Sequence, residues 1–102
     1  MNNFRTLTLA IELHQKCRKL KAPVYLKDQL NRASSSVALN LGEGRGKRTI
    51  KDQGRFFFNA FGSLKETQVI LKLVDDCPSS TIKLADITGA HLYRLLQSMG
   101  LL

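Results

Sequence analysis

Glycines and cations alternate in one segment that has the residue types of a phosphate-binding loop. Residues 42–49 read Gly-Glu-Gly-Arg-Gly-Lys-Arg-Thr. A P-loop requires Ser or Thr directly after Gly-Lys, and Arg48 stands at that place. The spacing also lacks the Gly-x-Gly-x-x-Gly pattern of dinucleotide sites, and no strand is predicted before it. The segment therefore does not predict a nucleotide hydrolase.

Other reactive side chains are scattered along the chain. His14 and His91 are isolated, and Ser34 to Ser36 have no acid–base partner at a recognisable spacing. Cys17 and Cys77 lack the Cys-x-x-Cys spacing of a metal clip and are predicted to be reduced, partly buried thiols. We expect no enzyme activity, no catalytic residue, no cofactor and no metal site, although a Ser/His arrangement formed across helices stays open.

The basic residues lie mostly in the first half of the chain. The sequence has 16 Lys and Arg against 8 Asp and Glu, for a net charge of +8. Residues 1–55 carry all of this excess, and residues 56–102 are balanced. Such a field favours polyanions: nucleic acid first, and acidic proteins or lipid headgroups second.

Two basic clusters differ in their position relative to helix ends. Lys16, Arg18, Lys19 and Lys21 are at the C-terminal end of the first predicted helix, where the macrodipole favours cations for structural reasons alone. The other cluster surrounds the start of the third predicted helix, where cations are disfavoured, which indicates a phosphate-binding surface. The candidate nucleic-acid-binding residues are accordingly Arg45, Lys47, Arg48, Lys51 and Arg55, with Lys16, Arg18 and Lys19 as the secondary group.

Hydrophobic periodicity predicts four helices and no strand. The helices should cover about residues 4–20, 26–43, 49–76 and 79 to the C-terminus. We expect Gly44 or Gly46 to end the second in a left-handed cap, Thr49 to cap the third with Asp52, and Ser79 or Ser80 to cap the fourth. Short connections between long helices predict an all-α, antiparallel, up-down-up-down four-helix bundle, as a single domain over residues 1–102.

The second helix carries a stripe of small residues next to its apolar face. Ser34, Ala38 and Gly42 recur every four residues and predict a close approach to a neighbouring helix. Asn40 and Glu43 lie near the end of this helix. They either cap and cross-link the bundle end, with Arg45, Arg48 or the third helix compensating Glu43, or take part directly in a binding site.

The third and fourth helices hold more apolar surface than one core accommodates. Phe56, Phe57 and Phe58 are consecutive and span about 200° of the helix circumference at 100° per residue. Phe57, Phe61 and Leu64 should face inward, so Phe56 or Phe58 should face outward, as part of an interface or as a base-stacking platform. On the fourth helix we expect Ile82, Ala85, Leu92, Leu95 and Met99 inside, with Leu84, Ile87, Tyr93 and Leu101 off this stripe. Both helices predict a homo-oligomer.

Two blocks of the sequence resemble a known family. Arg32-Ala-Ser-Ser-Ser-Val-Ala-Leu-Asn-Leu-Gly-Glu-Gly44 with the basic turn after it, and then Phe56-Phe57-Phe58 and residues 60–66, are similar to the signature of bacterial four-helix bundle proteins named for intervening sequences of 23S ribosomal RNA genes. The resemblance implies a ring-shaped homopentamer with a nucleic-acid-binding role. Some relatives in the superfamily are accessory proteins of diversity-generating retroelements, which pair with a reverse transcriptase and its RNA.

The sequence therefore supports two functional hypotheses. The first is a non-catalytic, oligomeric protein that binds RNA or DNA through the turn between the second and third helices. The alternative is a protein-interaction scaffold or accessory subunit that docks an acidic partner or a reverse transcriptase. The first residues contain no long apolar core, and no apolar run approaches the roughly 20 residues of a membrane span. We therefore expect a cytoplasmic protein without a membrane partner.

Overall fold

Four α-helices account for most of the chain. The structure is a computed structural model that describes the backbone of residues 2–102 and the side chains of residues 5–102. The helices are α1 (Asn2–Arg18), α2 (Val24–Arg45), α3 (Ile50–Leu73) and α4 (Ser79–Ser98), and residues 2–102 contain no strand. The predicted all-α class is confirmed.

The helices pack side by side as a four-helix bundle of 40 × 21 × 19 Å. α1 contacts α2 and α4, and α3 contacts the same two helices, so α1 and α3 stand across the core from each other. Each helix places apolar residues one or two turns apart on its inner face, which is the spacing that forms a continuous apolar stripe. The core runs along the bundle axis and includes the fully buried Leu13, Leu30, Leu64 and Leu92.

The helix starts follow the sequence in one case and differ from it in another. The backbone N–H of Asp52 donates to Thr49 Oγ1 at 3.1 Å, so the predicted N-cap of α3 is confirmed. The predicted serine cap of α4 is wrong: Pro78 holds the N-cap position without a side-chain hydrogen bond, and Ser79 is already helical. The fixed φ of proline places the chain turn one residue earlier than the serine pattern indicated.

The helix ends also correct the sequence prediction. Gly46 ends α2 with φ −80° and ψ −5°, in the right-handed region, and Gly44 lies within the helix, so the predicted left-handed cap is wrong. α3 ends at Leu73, three residues before the predicted Asp76, because Val74 is extended and Asp76 takes a φ of +57°. The chain therefore turns before Pro78 rather than at it.

Gly44, and not Gly42, provides the close approach between helices. A Cβ on Gly44 would lie 2.6 Å from Cε1 of the buried Phe57, whereas a Cβ on Gly42 would meet nothing within 4 Å. In the predicted small-residue stripe, Ser34 is buried, Ala38 is half-buried and Gly42 is exposed. The predicted contact at Gly42 is wrong because α2 turns this residue toward solvent.

The sequence predicted the buried residues of α3 and α4 only in part. Phe57 and Leu64 are buried as predicted, but Phe61 is only half-buried. On α4, Leu84 is 8% exposed and Ile82 is 37% exposed, which reverses their predicted roles. Thr81 and Thr88 are buried on the inner face, and Thr88 Oγ1 donates to the Leu84 carbonyl at 2.7 Å. This bond lets a polar residue occupy an apolar stripe, and a purely apolar periodicity cannot detect it.

Candidate nucleic-acid interface

Five cations surround the connection between α2 and α3. We call this set the basic turn: Arg45, Lys47, Arg48, Lys51 and Arg55. Arg45 ends α2, Lys47 and Arg48 lie in the connection, and Lys51 and Arg55 are one turn apart on α3. Arg48, Lys51 and Arg55 are exposed, and the other two are half-buried. The structure thus brings the first predicted group of site residues together.

The backbone of the basic turn is held from both sides. The missing Cβ of Gly44 lets the end of α2 pack on Phe57 of α3. Gln53 Nε2 donates to the Lys47 carbonyl at 3.0 Å, and the Thr49 cap fixes the first turn of α3. Gln53 was not identified from the sequence, because its bond crosses the connection and follows no helical spacing. The cations are therefore presented on a fixed backbone.

Phe56 lies beneath two of these cations. Lys47 Nζ is 5.1 Å from the centre of the Phe56 ring, and Arg55 Cζ is 5.3 Å from it. Lys47 Nζ also lies 3.7 Å from a carboxylate oxygen of Glu43. Glu43 is thus compensated by Lys47, a partner that the sequence did not single out, in an exposed i,i+4 pair that contributes roughly 0.3–0.5 kcal/mol. Phe56, which was predicted at an interface, is half-buried beneath Lys47 and Arg55.

Positive charge exceeds negative charge at the basic turn. Glu43 and Asp52 are the acidic residues of segment 43–55, against the five cations. The Thr49 hydroxyl already accepts the Asp52 N–H, so the N-terminus of α3 is partly satisfied from within the chain. Attraction for an anion therefore comes mainly from the exposed side chains of Arg48, Lys51 and Arg55.

The second predicted group lies at the other end of α2. Lys16, Arg18 and Lys19 are exposed around the end of α1, and we call them the α1 cluster. α2 spans roughly 33 Å at 1.5 Å per residue, so one protomer does not bring the two groups together.

Lys27 of α2 satisfies the carbonyls at the end of α1. Its Nζ donates to the Arg18 carbonyl at 2.7 Å and also to the Leu20 carbonyl. A cation that caps a helix C-terminus is favoured by both the hydrogen bonds and the macrodipole. The sequence prediction named the α1 cluster for dipole compensation and missed Lys27, whose contact depends on how α2 packs against α1.

Asn40 takes part in a polar cross-link between α2 and α3. Asn40 Nδ2 donates to the Ser36 carbonyl at 2.9 Å and to Ser36 Oγ at 3.0 Å. Ser36 Oγ lies 2.8 Å from Ser63 Oγ of α3. Asn40 is therefore used in cross-linking, which is one of the two roles that the sequence left open. Its partner Ser63 could not be identified from spacing along one helix.

A Ser/His contact forms across α1 and α2, although no spacing predicts it. His14 Nδ1 and Ser34 Oγ are 2.7 Å apart, and Ser34 is fully buried. Burial lowers the pKa of His14, and the nearby charge of Arg18 lowers it further. Because Ser34 is fully buried, its contact with His14 joins α1 and α2 inside the bundle.

Several large apolar side chains remain exposed on the outer faces. The most exposed within or at the ends of helices are Val24 (77%), Tyr25 (68%), Leu39 (70%), Val69 (58%) and Leu73 (59%). Phe58 is 40% exposed, so it is the outward-facing member of the Phe triplet. Among the described helices none is long and apolar enough to span a bilayer, and residues 5–102 hold no group of three potential metal-ligating side chains.

Comparison with known proteins finds a family whose model matches this sequence. Residues 3–97 match the model of a family described as 23S rRNA-intervening sequence protein. The match extends over all four helices, and it confirms the family resemblance inferred from residues 32–66. No curated protein matches the chain.

Proposed function

We propose that this chain, which belongs to the 23S rRNA-intervening sequence protein family, is a non-catalytic protein that binds the phosphate backbone of RNA or DNA through its basic turn. The observation that carries the proposal is the position of Arg48, Lys51 and Arg55. All three are exposed. Arg48 and Lys51 flank the start of α3, where the macrodipole disfavours cations, and Arg55 follows Lys51 one turn later on the same face. A polyanion would offset the positive charge gathered there.

The proposal predicts weak, salt-dependent binding without sequence preference. Each phosphate that a cation neutralises on duplex DNA contributes about −0.9 to the slope of log K against log salt concentration. Engagement of most of the basic turn should therefore give a slope magnitude of at least about 3. The measurement is a series of fluorescence anisotropy titrations with labelled RNA and DNA at increasing salt.

A pair of triple variants tests which end binds. Replacing Arg48, Lys51 and Arg55 with Gln removes three exposed charges from the basic turn and should weaken binding at least 10-fold and flatten the salt slope. Replacing Lys16, Arg18 and Lys19 with Gln removes the same charge from the α1 cluster and should change binding much less. If the second triple abolishes binding and the first does not, the binding end has been misassigned. If no nucleic acid binds at low salt, a scaffold that docks an acidic protein, such as a reverse transcriptase, replaces the proposal.

The proposed binding form is a homo-oligomer of antiparallel bundles. Contacts between α3 and α4 support the helix direction, since Phe61 lies against Tyr93 while Gln68, further along α3, bonds Asp86, earlier on α4. The exposed Val24, Tyr25 and Leu39 of α2 support self-association, because apolar side chains of this size are usually covered in an assembly. The family resemblance favours a pentamer, which would repeat each basic turn around a ring in the cytoplasm. Light scattering should give about five times the protomer mass of 11.4 kDa, and a monomer would contradict self-association.

A further inference from the structure

An apolar depression of about 410 Å³ opens beside the basic turn. Its apolar walls are Ile50 and Phe58 of α3 and Leu101 from the C-terminal segment, with Gly54 between them. Leu101 sits directly over Gly54, where a Cβ would lie 2.6 Å from Leu101 Cδ1. The depression thus depends on a glycine, and its volume lies within the roughly 300–1,000 Å³ of small-ligand sites. We call it the Phe58 pocket.

Charged side chains line the same pocket. Lys51, Arg55 and Phe58 are spaced so that they lie on one face of α3, and all three are exposed. The guanidinium of Arg55 is held over the Phe56 ring, and a cation–π contact of this kind does not consume its N–H donors. Asp52 also lines the pocket and offers carboxylate oxygens that accept hydrogen bonds. An aromatic side chain, two exposed cations and one hydrogen-bond acceptor therefore occur together.

We propose that the Phe58 pocket receives an unpaired nucleobase of a single-stranded nucleic acid. The base stacks on Phe58 between Ile50 and Leu101, and Lys51 and Arg55 hold the phosphates on either side of it. Asp52 accepts a hydrogen bond from an exocyclic amino group of the base. This inference rests on the proposed function and names its substrate class: strands with accessible bases, in preference to duplex.

Charge and shape favour this occupant over a second copy of the chain. A copy docked face to face, as in a two-fold pair, would bring its own Lys51 and Arg55 against those of its partner, and like charges at an interface oppose association. A duplex offers the same phosphates, but its bases are stacked and paired and cannot enter the pocket. A single strand satisfies both the cations and the aromatic surface, as in proteins that bind single strands by stacking.

The test compares single strand and duplex binding by the full-length protein and its variants. Anisotropy titrations use a short oligonucleotide and its duplex at one salt concentration, and an internal 2-aminopurine reports stacking. Phe58→Ala should weaken single-strand binding about 5-fold or more, since base–aromatic stacking contributes roughly 1–3 kcal/mol per base. Duplex binding and the salt slope should stay unchanged, and Phe58→Tyr should restore single-strand binding and the 2-aminopurine quench. Ile11→Ala, which truncates a similarly exposed apolar side chain on α1, is the matched control and should have no effect.

The outcomes separate this inference from the proposed function. If nucleic acid binds but Phe58→Ala weakens single strand and duplex equally, or neither, the pocket assignment is overturned and the proposed function stands. If Phe58→Ala lowers the mass of the oligomer and the loss of binding follows that mass, the pocket holds a second copy and the inference is wrong. If no RNA or DNA binds at low salt, both proposals fail together.

Discussion

The two ends of α2 carry similar clusters of cations in opposite electrostatic settings. At the α1–α2 end the exposed α1 cluster surrounds the C-terminus of α1, where the macrodipole is negative and Lys27 caps the last carbonyls. At the α2–α3 end Arg48 and Lys51 flank the N-terminus of α3, where the dipole is positive and only partly offset by Asp52, while Arg45 ends α2, where cations are favoured. The cations of the first end add to fold stability, and Arg48 and Lys51 at the second end slightly oppose it.

This difference shows that a count of basic residues does not locate a binding surface. Cations at a helix C-terminus contribute to folding, and their presence needs no ligand. Cations at an N-terminus oppose folding slightly, and this is why we propose the nucleic-acid surface at Arg48 and Lys51 rather than at the α1 cluster. The comparison becomes testable when each end is perturbed separately and the effects on stability and binding are measured side by side.

The largest expected effect is at Gly44, next to the basic turn. Gly44→Ala places a Cβ within 2.6 Å of the Phe57 ring and 3.2 Å of Phe56 Cβ, and both neighbours belong to the α3 segment that carries the cations. Overpacking of this kind should lower the free energy of unfolding by about 1–3 kcal/mol, as measured by chemical denaturation.

Gly42→Ala is the control for this change. Its Cβ would meet nothing within 4 Å, and alanine is a better helix former, so stability should rise by roughly 0.5–1 kcal/mol. If both alanine variants change the free energy of unfolding equally, α2 and α3 are not closely packed at Gly44. The backbone of the basic turn would then not be held by this contact.

A smaller effect is expected at Lys27, at the other end. Lys27→Met keeps most of the side-chain stem but removes the donor to the Arg18 and Leu20 carbonyls. We expect the free energy of unfolding to fall by about 1 kcal/mol, with no loss of nucleic-acid affinity. Lys21→Met removes an exposed charge nearby and should be close to neutral. A drop in affinity without a drop in stability at Lys27 would reverse the roles of the two ends.

The smallest expected effect is a pH dependence that comes from His14. Its pKa is lowered in the folded state by burial and then by Arg18, so the unfolded chain binds a proton more readily. Stability from this group is fully present above the unfolded value of about 6.5 and is lost as pH falls through the folded pKa. Thermal melts between about pH 5 and 8 should show this decline.

His14→Gln should flatten the decline, because glutamine can still bond Ser34 but does not titrate. The matched substitution His91→Gln on α4 should leave the decline in place. An unchanged pH profile in His14→Gln would show that His14 does not cause the dependence.

The sequence predicted the helices and the family better than the contacts between helices. Helix existence, the Thr49 cap and the burial of Phe57 follow from local periodicity and spacing, and the structure confirms them. The cations of the basic turn also lie together as predicted, because all five are in the short connection between α2 and α3 or within two turns of it. These features depend on interactions within about one turn of chain.

The errors come from the rotation of each helix about its axis. Ile82 and Leu84 differ by about 200° around α4 at 100° per residue, and apolar periodicity does not decide which of them is covered when threonines share the inner face. The same holds for Gly42 and Gly44, which differ by about 200° at 100° per residue. Contacts such as His14–Ser34 and Ser36–Ser63 depend on two helices at once and leave no trace in the spacing of either.

The two thiols of this protein differ in burial, so each can be labelled under different conditions. Cys17 is fully buried, and burial raises its pKa to about 11, partly opposed by a hydrogen bond from Ser34. Cys77 is half-buried in the α3–α4 connection, with a pKa raised only by burial. A maleimide should therefore attach a fluorophore to Cys77 in the native protein and reach Cys17 only when the bundle opens. Cys77 thus supplies a labelling site remote from the basic turn, and the rate at which Cys17 is labelled measures global unfolding.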